Sequence, residues 1–291
     1  MNKRVLCSLI LAMMATMWAG MAQAETKYDF KIAGVTVTSD NCGDLSVIDG
    51  VTGTVKYEDA TKTLTLENAN IRCKAEGISG SGIYTSSKEL NIRLVGNNTI
   101  ASENGVGIWN ERDGVITFTG NGKLTVNGST TAAVSNYRKG IFSKGTITVS
   151  NCTLEVVAGE YGLCGGYWKF DHCVVRAKGD GSSNDEYAGS IGWIWEEPEF
   201  VGCAVVSPAG EYWKEFQKGE NAYFSLFDVD NKIVTDWVVI ADPTAGIEAV
   251  NPDMAEQKCG NYTLQGVRLS DNFESLPTGV YIVNGKKVVK K

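Results

Sequence analysis

Residues 146–158 form an alternating strand, a short polar turn ending in a small residue, and a second alternating strand, and relatives of this unit recur on both sides. Upstream stand Thr63-Leu64-Thr65-Leu66-Glu67-Asn68-Ala69-Asn70-Ile71, then Leu90-Asn91-Ile92-Arg93-Leu94, then Ile116-Thr117-Phe118 followed by Leu124-Thr125-Val126. Downstream the pattern decays into Phe170-Asp171-His172-Cys173-Val174-Val175 and Phe200-Val201-Gly202-Cys203-Ala204-Val205. A second marker, a Gly-apolar-aromatic step, accompanies the units: Gly82-Ile83-Tyr84, Gly107-Ile108-Trp109, Gly140-Ile141-Phe142, then Gly162-Leu163-Cys164 and a shifted Ile191-Gly192-Trp193. Its first four glycines are 25, 33 and 22 residues apart, so the strand motifs are fixed while the loops vary, as in a solenoid whose turns accept insertions. Leucine-rich repeats share that period but follow each strand with a helical segment; these spacers are Gly, Asn, Ser and Thr, without apolar residues at helical spacing. The expectation is an all-β chain, a right-handed parallel β-helix of about six rungs, which at roughly 4.8 Å each makes a stack about 25–30 Å tall.

The remaining segments frame that stack. Residues 1–24 read as a secretory signal peptide: Lys3 and Arg4, an apolar run over residues 5–20, then Ala22-Gln23-Ala24 before Glu25. No other stretch is apolar for long enough to span a bilayer, so an exported protein, secreted or held at the cell surface, is expected, with the periplasm as the alternative. Residues 25–62 alternate without the repeat markers and read as an N-terminal β cap over an edge that would otherwise template aggregation. The repeats occupy residues 63–208. Residues 209–241 read as a C-terminal capping hairpin, with strands at 223–227 and 235–240 flanking Asp228-Val229-Asp230-Asn231-Lys232. Residues 242–258 read as a linker and 259–291 as a small β tail, in which Asn284-Gly285 between two apolar runs is a hairpin signal.

Losing Lys3 and Arg4 with the signal takes the formal charge from −7 to −9. An acidic surface argues against nucleic acid and anionic membrane as partners. Seven of the eight cysteines stay in the exported chain. Cys152, Cys173 and Cys203 occupy one place in successive units, where the first unit has Ala69, and a parallel stack makes of them a ladder of small buried thiols. Disulfides are the alternative, although side chains pointing the same way from parallel strands fit the bond's dihedral poorly. With no CxxC pair and His172 as the single histidine, neither a metal site nor a cofactor is expected. The acidic loop at residues 179–186 matches no known calcium-loop spacing and reads as a solvated loop.

The tail quotes a pattern: Tyr262-Thr263-Leu264-Gln265-Gly266-Val267, then Leu276-Pro277-Thr278-Gly279-Val280-Tyr281-Ile282-Val283, then a lysine-rich end. It resembles the C-terminal sorting domains of proteins exported by the type IX secretion system of Bacteroidetes, which implies contact with that export machinery. The body resembles a group of uncharacterised secreted Bacteroidetes β-helix proteins that carry a generic carbohydrate-binding label.

For function, the aromatic column stands out. In each Gly-Ile-aromatic step the constant Ile is expected inward, and alternation then sends Tyr84, Trp109 and Phe142 outward, with Trp168, Trp193, Trp195, Tyr167 and Trp213 crowding the lower rungs. Such a stripe suits the C–H faces of sugar rings in a polymer. The bland alternative is that loops or caps cover these rings and they stack for sheet stability. Catalysis finds less support. β-helix hydrolases carry paired aspartates with Gly-His-Gly and Arg-Ile-Lys steps, absent here, and Asp113, Asp171 and Asp185 do not group with Arg72, Arg93, Arg112, Arg138 or Arg176. His172 reads as a turn residue. The expectation is a secreted, non-catalytic module that binds a glycan or other surface polymer through Tyr84, Trp109, Phe142, Trp168, Trp193 and Trp195. A lyase or hydrolase with degenerate motifs, and a structural or adhesive surface protein, are the alternatives.

Overall fold

The alternating segments pair as three columns of parallel strands in a computed structural model that describes residues 24–131, 137–182, 185–244, 261–263, 269, 273–283 and 286–290. The first column runs from residues 63–67 of the long strand Thr63–Glu76 through Glu89–Val95, Val115–Gly120, Thr146–Ser150, Tyr167–Asp171 and Glu199–Val201. The second runs from residues 70–76 of that same strand through Asn97–Asn104, Lys123–Asn127, Thr153–Ala158 and Val174–Gly179. The third comprises Ile83–Thr85, Ile108–Asn110, Lys139–Ser143, Tyr161–Cys164 and Ile191–Gly192. The chain visits first, second and third column in turn, tier after tier. The described chain is all-β, and its large, mainly parallel sheet curves nearly into a barrel.

Period-2 alternation decides what lies inside. Ile83, Ile108, Ile141, Leu163 and Ile191 stand in register down the third column and are buried, as are Ile92, Phe118, Val149 and Phe170 down the first and Ile71, Ile100, Val126 and Val156 down the second. Each such side chain contributes roughly 1.5–3 kcal/mol by leaving water.

Between the first and second columns the chain turns through a residue in the left-handed region: Asn68 (φ 47), Gly96 (φ 64), Asn151 (φ 54), His172 (φ 46) and Gly202 (φ 61). Asn and Gly take that conformation at least cost. His172 is therefore a corner residue, its exposed ring 2.6 Å from Asp171. After four of these corners the next position holds Ala69, Cys152, Cys173 and Cys203, all buried, the three cysteines as free thiols, whereas Gly96 is followed by the exposed Asn97. Asn98 ties this corner across tiers: its Oδ1 accepts from Ala69 N–H at 2.9 Å, and its Nδ2 donates to the Val95 and Lys123 carbonyls, each at 3.2 Å.

The marker glycines have a different cause. A Cβ on Gly107 would lie 2.6 Å from the Gly140 carbonyl oxygen and press on Val126, and one on Gly140 would lie 2.6 Å from the Gly162 carbonyl oxygen and press on Val156. The constant glycine thus marks a place where one tier comes too close to the next to admit a side chain.

Antiparallel strands close both ends, which protects the open edges. Lys27–Ile32 pairs with Ile83–Thr85 and with Val35–Thr38, and Val51–Glu58 pairs with Thr63–Glu76. At the far end Val238–Ala241 inserts between Val174–Gly179 and Ala204–Ser207, so the parallel second column stops one tier before residue 208. The expected hairpin holds at its turn, where the Asp228 N–H donates to the Lys232 carbonyl and Phe227 bridges Ile233 antiparallel. Its strands pair elsewhere along their length: Asn221–Phe227 with Tyr212–Lys218, while Val238–Ala241, apolar at every position and buried throughout, suits a strand covered on both faces. In the tail, Asn261–Thr263, Gly279–Val283 and Lys286–Lys290 form an antiparallel sheet in which Val283 lies opposite Lys286, the register that a two-residue hairpin turn requires. The turn itself, residues 1–23 of the expected signal and residues 245–258 of the expected linker lie outside the described residues. Among the described residues no helix is long and apolar enough to cross a membrane.

Candidate functional site

The outward positions in register down the third column are Tyr84, Trp109, Phe142, Cys164 and Gly192. From Trp109 downward the side chains shrink, and the shrinkage opens a hollow beside the lower tiers. Trp109 and Phe142 meet edge to face, ring centroids 5.1 Å apart. Glu111 accepts from the Trp109 indole N–H at 2.6 Å and from Lys144 at 2.7 Å, which fixes the indole plane.

Trp193 and Trp195 face this hollow from the chain that follows the last third-column strand. The Trp195 N–H donates to the Gly166 carbonyl at 2.9 Å, and its ring meets Tyr167 edge-on at 5.2 Å. Trp193 sits in the left-handed region (φ 54), unusual for a bulky residue and worth roughly 1–2 kcal/mol of strain. Ser225 Oγ, accepting from the Trp193 N–H at 3.1 Å, and the Tyr223 and Phe216 rings, 4.9 and 5.6 Å from the indole, hold it there. Strain of this kind concentrates where a side chain must be aimed for a purpose.

The result is a cleft of about 510 Å³ walled by Trp109, Tyr137, Phe142, Trp193, Trp195 and Tyr223, with Lys139, Glu160, Tyr161, Cys164 and Asp185 beneath. Lys139 and Tyr161 are register partners on the third column. The Lys139 ammonium is 3.8 Å from the Glu160 carboxylate, with both side chains nearly buried (11% and 5% exposed), and 5.5 and 5.8 Å from the Phe142 and Tyr161 ring centroids. The aromatic faces and the carboxylate together offset the cost of burying that cation. Burial, and then the neighbouring Cys164, Asp185 and Glu160, push the Tyr161 phenol well above its ordinary range. Burial pushes the Cys164 thiol up to about 12, so at neutral pH it is a protonated filler and no nucleophile. The floor therefore offers fixed donors and acceptors under an aromatic wall.

Of the six residues expected to bind ligand, Trp109, Phe142, Trp193 and Trp195 meet at this cleft. Tyr84 stands one tier above Trp109, half-buried, with Lys31 of the N-terminal cap 6.0 Å from its ring, and does not line the cleft. Trp168 corrects the expectation. It is 3% exposed, in register with the buried Ile147, stacked 5.9 Å from Phe170, and its indole N–H donates to the Gly165 carbonyl at 2.7 Å. Alternation from Tyr167 places Tyr167 outside and Trp168 in the core. Of the aspartates, Asp185 joins the cleft, whereas Asp171 ends a first-column strand and Asp113 lies in the turn before Val115–Gly120.

Sequence reasoning missed Lys139, Glu160, Tyr161, Tyr137 and Tyr223. One signal was present: the residue before the marker glycine is Ser81 and Val106 in the upper tiers but Lys139 and Tyr161 in the next two. A second hollow of about 480 Å³, between the N-terminal cap and the first column, is lined by Lys56, Glu58, Thr63, Thr65 and Arg93 among others. Its charged side chains are solvent-exposed, so it lacks the buried ion pair of the aromatic cleft.

Compared with protein-family models, with curated proteins and with solved structures, the chain matches none.

Proposed function

We propose that this chain is an exported, capped right-handed parallel β-helix that binds a glycan in the aromatic cleft without turning it over. One observation carries the reading: Trp109, Phe142, Trp193 and Trp195 converge on a single cleft of about 510 Å³ whose floor holds a nearly buried Lys139–Glu160 pair. A sugar ring has C–H faces that pack on aromatic rings and hydroxyl edges that need directional polar partners, and the wall and floor supply one each. The volume lies in the range of small-ligand sites, roughly 300–1,000 Å³. The β-helix reading is supported by three columns visited in constant order and by antiparallel strands at both ends. Export is supported by the signal-like start and by the tail's resemblance to type IX sorting domains, whose machinery would be the second partner.

Turnover has one observation in its favour, two carboxylates, Glu160 and Asp185, in the same cleft. Glu160 is engaged by Lys139, which suits a fixed acceptor better than a proton shuttle. Titrating the purified protein with plant, mucin and bacterial polysaccharides, while following tryptophan emission and product release together, separates the readings. A saturable emission change without products is the expected result. Released unsaturated or reducing ends would establish an enzyme, and no response to any polymer would remove the glycan reading.

A further inference from the structure

We infer that the cleft takes the end of a glycan chain, a terminal sugar unit entering edge-on, and not an interior stretch lying along the stack; the inference rests on the glycan reading above. A stripe open along the column would let a polymer run past Tyr84, Trp109 and Phe142 alike. The cleft is instead bounded at both ends. On its upper side the Tyr137 ring lies 6.0 Å from the Trp109 ring and reaches back to the first tier, where a Cβ on Gly77 would come within 3.6 Å of the Tyr137 hydroxyl. At its lower end the hairpin of Tyr212–Lys218 and Asn221–Phe227 bridges to the chain at Ile194 and brings Tyr223 against Trp193. An interior unit needs two exits for its neighbours, and both directions along the column meet these side chains.

The depth of the polar groups gives the same answer independently. Tyr161 is 2% exposed, and its hydroxyl faces the Asp185 carboxylate. The buried indole N–H of Trp193 makes no hydrogen bond with the described residues. A buried donor left this way is costly, and both residues line the cleft. A sugar lying flat on the rings would touch only their faces. A terminal unit inserted edge-on presents its free hydroxyls to the phenol and the indole.

The test uses the full protein and linear neutral polysaccharides, a β-glucan, a mannan, a galactan and a xylan, each intact and after partial acid hydrolysis to shorter chains at equal mass. Binding sites per gram are measured by calorimetric titration and chain ends by a reducing-end assay. For whichever polymer binds, sites per gram should rise by the same factor as chain ends. Sites per gram that stay constant or fall while binding persists would overturn end recognition and leave the glycan reading standing. No binding by any intact or shortened polymer would overturn both.

Discussion

Down the first column the outward residues in register are Asn91, Thr117, Thr148, Lys169 and Glu199; down the third they are Tyr84, Trp109, Phe142, Cys164 and Gly192. Both faces come from the same alternation on the same tiers. The first is a solvated sheet surface, with β-branched threonines and an exposed Lys169–Glu199 pair at 2.6 Å. The third tapers from indole to hydrogen, and the space so vacated is walled by further aromatics and floored by buried charge. The difference teaches that a size gradient along a register line, more than the composition of that line, turns a sheet face into a site.

The comparison can be broken most forcefully at the ion pairs. Lys139→Met removes the ammonium facing Glu160 and leaves a carboxylate in a nearly buried place, so urea unfolding should show a loss of about 3 kcal/mol. Lys169→Met on the first column should cost no more than about 1 kcal/mol, because water already screens that pair. Equal effects would mean that the third column's charge is as hydrated as the first's.

Close approach comes next. Gly107→Ala drives a methyl against the Gly140 carbonyl and Val126 and should cost about 1–3 kcal/mol, whereas Thr117→Ala should stay within about 0.5 kcal/mol. Similar unfolding midpoints for these two variants would contradict the tier contact assigned to the marker glycine.

Binding sharpens the contrast further. Trp193→Ala should weaken the tightest glycan of a screening panel about tenfold or more, some 1.4 kcal/mol, while Thr148→Ala should leave its dissociation constant unchanged. Circular dichroism on both variants separates lost contact from lost fold.

The last contrast is alkaline. In the unfolded chain thiols ionise near their ordinary 9.0, but burial raises Cys152 to about 11 and Cys164 to about 12. Raised folded values mean that this contribution to stability is full below pH 9, shrinks as pH climbs, and is gone above 11 for Cys152 and 12 for Cys164. Denaturation midpoints should therefore fall between pH 8.5 and 10.5, and replacing Cys164 by Ala should flatten part of that fall.

The columns were legible because period 2 assigns a side to every residue once one is known: Ile83, Ile108 and Ile141 inward dictate Tyr84, Trp109 and Phe142 outward. The corner ladder at Cys152, Cys173 and Cys203 was legible for the same reason. Trp168 was not, since Tyr167-Trp168 offers two adjacent aromatics and only the register to Ile147 says which faces in. Nor was the placement of Val238–Ala241, whose partner Val174–Gly179 is remote in sequence and gives no local signal. Of the site, the aromatic wall was readable and the floor was not. Lys139 and Glu160 carry no local signal of burial, because the aromatic residues that share their cleft, Trp193 and Tyr223 among them, are remote in sequence.

The most direct test is a crystal structure of the protein with the tightest-binding oligosaccharide from the panel. The account predicts one sugar unit between the Trp109–Phe142 and Trp193–Trp195 walls, with a hydroxyl in hydrogen-bond reach of Tyr161 and the Lys139–Glu160 pair below it. Sugar density on the threonine face of the first column, or along Tyr84 outside the cleft, would contradict it.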